Sequence, residues 1–96
     1  MSDTKQKYVK LKNYDEVIIF PTIIEHSKFR NWGVISAGFC HVHSDKIVCF
    51  GESVSLRIKS RPKQDTFHAT KQVFGWRQAK QFFQEAEKEK EDNEQH

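Results

Sequence analysis

Between residues 14 and 84 the chain sets short apolar runs between turn residues, and apolar positions thin out only towards its ends. Val17-Ile18-Ile19-Phe20 is a continuous, largely β-branched run, which reads as a short strand covered on both faces and ended by Pro21. Ile23, Ile24, Phe29 and Trp32 make one face of a short helix near residues 22–32, with Ser27 as the N-cap of its last turn and Gly33 as its stop.

From Val34 the pattern reads β. Val34 to His43 and Lys46 to Phe50 flank Ser44-Asp45, a hairpin turn. A two-residue loop pairs His43 with Lys46, Val42 with Ile47 and Cys40 with Cys49. A three-residue loop pairs Val42 with Val48 and His41 with Cys49, and the pattern leaves both registers open. Gly38 inside the first strand marks a bulge or a close backbone contact, and Gly51-Glu52 a second tight turn or bulge. The next expected strand, Ser53 to Lys59, has two unlike faces: Val54, Leu56 and Ile58 on one side of the pleat, and Ser53, Ser55, Arg57, Lys59 and then Arg61 on the other.

After the connector Ser60 to Gln64, Asp65 or Thr66 is a fitting N-cap for a helix. Phe67, Thr70, Val73 and Phe74, then Trp76, Ala79, Phe83 and Ala86, continue an apolar stripe through about residues 65–88. Gly75 splits that helix in two or sits in one continuous helix at a cost of roughly 1 kcal/mol against alanine. These elements make an α+β single domain of two layers. Its antiparallel sheet of three to four strands has a β-meander at about residues 34–60, and the C-terminal helix packs on one face over Val54, Leu56 and Ile58. A helix, three antiparallel strands and a closing helix are similar in outline to the double-stranded RNA-binding fold. The resemblance is one of architecture: the lysine cluster that opens that family's last helix is not found after Asp65, and no residue roles follow from it.

The ends differ in charge. Residues 1–13 carry Lys5, Lys7, Lys10 and Lys12 with only Tyr8, Val9 and Leu11 as anchors, and read as a flexible basic arm with at most a short edge strand at Tyr8 to Leu11. Residues 85–96 hold six acidic side chains against Lys88 and Lys90, a frayed acidic tail of charge −4; a total of +3 leaves +7 for residues 1–84. The single folded unit is therefore residues 14–84, and it is basic, as domains that meet polyanions are. No apolar run approaches the roughly 18–20 residues that span a bilayer, and two cysteines are too few for a disulfide scaffold, so the expectation is a cytoplasmic protein with reduced thiols and no membrane partner.

Three groups of residues bear on chemistry. Arg57, Lys59, Arg61 and Lys63, with Ser53 and Ser55 in the same row, repeat every two residues at roughly 6.5–7 Å, near the spacing of phosphates along one nucleic-acid strand. The plainer account is that the row keeps an outer face soluble. His41 and His43, two apart on a strand, share a side that suits a metal, but Cys40 points the other way and no fourth ligand follows at a zinc spacing. Phe39 and Phe50 fall on the face carrying His41, as a stacking platform if exposed and as core if buried, core being the favoured reading.

Enzyme signatures are lacking: there is no glycine-rich phosphate loop, no serine elbow and no pair of carboxylates at acid–base spacing. The expectation is a small non-enzymatic binding module without cofactor. It contacts DNA or RNA backbone through Arg57, Lys59, Arg61 and Lys63 with help from Ser53 and Ser55, and the acidic tail weakens non-specific contacts. The alternative is a protein-interaction or homodimerisation domain that meets another chain through a sheet edge or the Phe/Trp-bearing helix, with a metal site at His41/His43 as a third and lesser reading.

Overall fold

The computed structural model describes residues 4–81. Its centre is the stretch expected to be a mobile arm. Strand β1 (Thr4–Leu11) lies between β2 (Val17–Phe20) and β3 (Val34–Val42), and β4 (Ile47–Phe50) pairs with the far side of β3, giving an antiparallel sheet of order β2-β1-β3-β4. The expected arm is corrected by position. Three apolar anchors are few, but a strand paired on both sides places Tyr8 and Val9 at 0% exposure and shares its backbone polar groups with two neighbours. Lys10 is buried beside them and donates from Nζ to the Tyr14 carbonyl at 2.6 Å.

The hairpin β3–β4 takes the two-residue loop. Cys40 faces Cys49, Val42 faces Ile47, and the His43 N–H donates to the Lys46 carbonyl at 2.9 Å. Both thiols are free and buried, and burial pushes Cys40 up to about 11 and Cys49 well above its ordinary range. Gly38 is a close-approach glycine: a β-carbon there would run into the Phe50 carbonyl oxygen and lie 3.2 Å from the Gly51 carbonyl carbon.

The expected third strand of the meander does not form. At Gly51, with φ +77°, the chain leaves the sheet and makes a separate two-stranded ribbon, β5 (Glu52–Ser53) and β6 (Ile58–Lys59), joined by a turn over residues 54–57. Ser53 drives the turn: its hydroxyl accepts the Leu56 N–H at 3.2 Å, a local bond that competes with a continued ladder. Strand alternation is therefore lost. Val54 is 82% exposed, and Leu56 and Ile58 do not lie under the C-terminal helix but pack against Val9, Leu11, Phe20 and Ala37 on the opposite face. Next to them, the helix expected near 22–32 shortens to a single 3-10 turn, η1 (His26–Phe29), with Glu25 rather than Ser27 at its N-cap and Ile23 88% exposed. With β1 and β2 both ahead of this turn, the outline of the double-stranded RNA-binding fold is not reproduced.

Helix α1 (Pro62–Phe74) covers the other face, over Tyr8, Val17, Cys40, Ile47 and Cys49. It starts earlier than expected, with Pro62 in its first turn and Arg61 at the N-cap, because Asp65 caps from inside the helix. The fully buried Asp65 carboxylate accepts the Arg61 N–H at 2.9 Å and the Tyr8 hydroxyl, while the Asp65 N–H donates to the Arg61 carbonyl at 2.8 Å. Gly75, at φ +99°, ends α1, and a second helical segment runs over residues 76–81, so the stripe is two helices. Phe83 and Ala86 of that stripe, the end of the expected helix at 88 and the acidic segment 85–96 lie outside the described residues.

Side chains of α1 also reach both sheet edges. Thr66 Oγ1 accepts the Cys49 N–H at 2.8 Å; Thr70 Oγ1 accepts the Ile47 N–H at 3.1 Å and donates to the Ile47 carbonyl at 3.2 Å. On β2, the Gln72 amide accepts from the Val17 N–H at 2.7 Å and donates to the Val17 carbonyl at 2.9 Å. Positions four apart on a helix rise about 6 Å, close to the two-residue repeat of roughly 6.5–7 Å on a strand, so Thr66 and Thr70 meet alternate residues of β4.

Candidate nucleic-acid interface

The residues expected in one basic row are distributed over four environments. Ser53 is buried, with its hydroxyl spent inside the turn. Arg61 and Lys63 stand at the start of α1, where the Arg61 guanidinium comes within 4.0 Å of the buried Asp65. Lys59 is exposed on β6, with Glu52 as its cross-strand partner. Only Ser55 and Arg57 remain together. They line a groove of about 500 Å³ with Arg30, Leu56 and Ile58.

That groove is built by the turn. Arg57 closes it by donating its N–H to the Val54 carbonyl at 3.2 Å, and among the described residues it alone, apart from glycines, has a positive φ, +58°. Such a position favours glycine or asparagine, and an arginine there stands in a costly backbone conformation. Arg30, at the C-cap of η1, donates from its guanidinium to the Ser55 carbonyl at 3.2 Å and so brings a second positive charge to the same wall. Arg30 is the residue the sequence does not point to. It lies in no periodic segment, and only the return of the 54–57 turn over the sheet brings it beside Arg57.

A second concavity, of about 340 Å³, adjoins the first at Ser55 and is lined by Lys7, Glu25, His26, Phe39, Glu52 and Val54. His26 forms its inner wall, buried and bonded through Nε2 to the Gly38 carbonyl at 2.8 Å. Burial holds His26 below the usual histidine range, opposed by the Gly38 carbonyl and reinforced by the nearby Lys7 charge.

From Phe39 a line of rings continues along the sheet. Phe39 and Phe50 are cross-strand partners with centroids 6.1 Å apart; Phe50 and His41 are 4.9 Å apart with planes within 18°, and His41 and His43 are 6.1 Å apart. All four are half-buried. The Lys5 ammonium lies 4.5 Å from the centre of the Phe39 ring. The shared parity of Phe39, His41 and His43 and the two-residue loop are what place these rings on one side. Ring-to-ring packing leaves His41 and His43 as members of an aromatic row, and among the described residues no three His, Cys, Asp or Glu side chains come together as a metal site.

Among the described residues no helix is long and apolar enough to cross a membrane. Comparison of the chain with protein-family models, with curated proteins and with solved structures gives no match in any of the three, so what the surface does must be read from its own geometry.

Proposed function

We propose that this domain is a binding module for nucleic-acid backbone, with Arg57 and Arg30 as its principal phosphate contacts and Lys59 and Lys5 flanking them. The observation that supports it most is Arg57 at φ +58° in a turn where glycine would cost less, its side chain on a groove shared with Arg30. Among the described residues that line this groove there are two guanidinium groups and no carboxylate. Guanidinium groups hold phosphate bidentately. Arg61, Lys63 and Ser53, expected in the same contact, are left out of this reading, because Arg61 faces Asp65, Ser53 is buried and Lys63 does not line the groove.

The alternative of a partner protein docked at a sheet edge draws less support, since Ile47, Cys49 and Val17 already bond to side chains of α1. The test is Arg57→Gly, which relieves the turn while removing the charge. The variant is expected to be as stable as the parent or up to about 1 kcal/mol more so. Its affinity for single- and double-stranded oligonucleotides should fall, and the slope of log affinity against log salt should shrink by about 0.7–0.9. Binding that Arg57→Gly leaves intact, or that does not respond to salt, would overturn the proposal. A concentration-dependent dimer in sedimentation with no oligonucleotide binding would favour the interaction domain.

A further inference from the structure

We propose that Cys40 and Cys49 are an intrachain disulfide site, placed to close across the β3–β4 hairpin and shielded from oxidants by α1 until that helix undocks. The chain holds two cysteines, and the two-residue loop makes them direct cross-strand partners. Along an antiparallel ladder, pairs that exchange backbone hydrogen bonds alternate with pairs that do not. His43 donates to Lys46 across the loop, which makes theirs a hydrogen-bonded pair. Counting back along the register, Val42 and Ile47 are non-bonded, His41 and Val48 bonded, and Cys40 and Cys49 non-bonded. The helix gives the same parity independently, since the Ile47 and Cys49 N–H groups point away from β3 to Thr70 and Thr66.

A non-hydrogen-bonded pair brings its α-carbons to about 4.5 Å, within the roughly 4.4–6.8 Å that a disulfide spans. Both thiols belong to one buried cluster with Tyr8, Ile47 and Ala69, so they share a face as well as a register. The other register, with His41 against Cys49, would have put them on opposite faces. Burial also keeps both thiols protonated and therefore poor nucleophiles. The shield is α1, which contributes Ala69 to the cluster and bonds to the Cys49 N–H through Thr66. Oxidation then follows undocking of the helix. With a small-molecule disulfide such as oxidised glutathione, one exposed thiol loses its proton, attacks a glutathione sulfur and releases the first glutathione as its thiolate. The second thiol displaces the other glutathione from the mixed disulfide, so two electrons and two protons leave the chain as two molecules of reduced glutathione. The closed bond ties the edge strand β4 to β3 and restricts the unfolded chain.

The test incubates the full reduced chain with oxidised glutathione at about pH 8, near the ordinary thiol value, in two arms: one folded throughout, one refolding from guanidinium chloride. Intact mass, thiols titrated after denaturation and melting temperature are read in both. Each arm should end as a monomer about 2 Da lighter with no titratable thiol. The oxidised form should melt at least about 5 °C above the reduced one. The folded arm should react at least roughly tenfold more slowly, and Thr66→Val, which loosens α1, should narrow that gap. Refolded chains that keep both thiols, stop at the glutathione adduct or link to a second chain would overturn the disulfide site, as would an oxidised form that melts below the reduced one. A folded chain that oxidises as fast as the refolding one would overturn the shielding by α1. Because both arms use the unaltered protein, a Thr66→Val variant that did not fold would leave the outcome decided.

Discussion

The two faces of the sheet solve opposite problems. On the face under α1 hydrogen bonds tie the helix to the sheet: Asp65 bonds to Tyr8 and to Arg61, Thr70 and Thr66 bond to β4, and Gln72 bonds to β2, while Ser36 Oγ, Asp65 Oδ1 and His68 Nδ1 lie buried without a hydrogen bond among the described residues. On the other face, η1 and the β5–β6 ribbon cover Val9, Leu11, Phe20 and Ala37 and leave off at Phe39, beyond which rings and lysines remain part-exposed. The first face is built to close and the second to stay available. Substitutions on the helix face should therefore cost stability, and those on the ring face should cost binding.

The contrast is broken most severely at Asp65. Asp65→Ala leaves the Tyr8 hydroxyl and the Arg61 N–H without their acceptor in a dry interior, at an expected cost of about 2–5 kcal/mol in chemical denaturation. A loss below about 1 kcal/mol would mean that water enters and that the helix face is not closed. Thr70→Val keeps the shape and removes the hydroxyl that serves both the N–H and the C=O of Ile47. It should cost about 1–3 kcal/mol and speed amide hydrogen exchange at Ile47; unchanged exchange there would show the edge is protected by other means.

Each face holds one histidine whose charged form is disfavoured by burial. His26 on the ring side and His68 on α1 are both held below the ordinary value of 6.5, chiefly by burial; for His68 the Lys10 charge adds to this while Asp15 and Asp65 oppose it. The unfolded chain then binds more protons than the folded one below pH 6.5, so stability is full above that value and falls as pH drops through the folded-state values. The slope is up to about 1.4 kcal/mol per pH unit for each group. A melting temperature that stays level from pH 7.5 to 5 would contradict the burial of both rings. The smallest effect sits on the ring face, where Phe50→Leu should lower stability by about 1 kcal/mol or less.

Much of this architecture is legible in the chain itself. The β2 run, the hairpin with its two-residue option and the helix break at Gly75 all follow from local pattern, since each is fixed by neighbours within a few residues. The tight contact at Gly38 is flagged by the glycine, although its partners, Phe50 and Gly51, lie across the hairpin. What escaped local reading depends on partners far along the chain. Tyr8 is central because it meets Asp65 and Gly38, and no window around residues 4–11 contains either. Ser53 to Lys59 alternates as a strand should, but one hydroxyl within reach of the Leu56 N–H redirects it into a turn. The site was legible in the same measure. Arg57, Ser55 and the parity of the rings are written in the sequence, whereas the pairing of Arg57 with Arg30 comes from tertiary folding alone.

The threonine and glutamine side chains of α1 carry a consequence for colony life of the molecule in a crowded solution. A short four-stranded sheet ends in two rows of outward amides and carbonyls, which are templates for strands of neighbouring molecules and so for aggregation. Here α1 fills those positions at Ile47, Cys49 and Val17 with its own polar atoms. Resistance to self-templated assembly is therefore a property of the helix rather than of the strands, present only while α1 is docked.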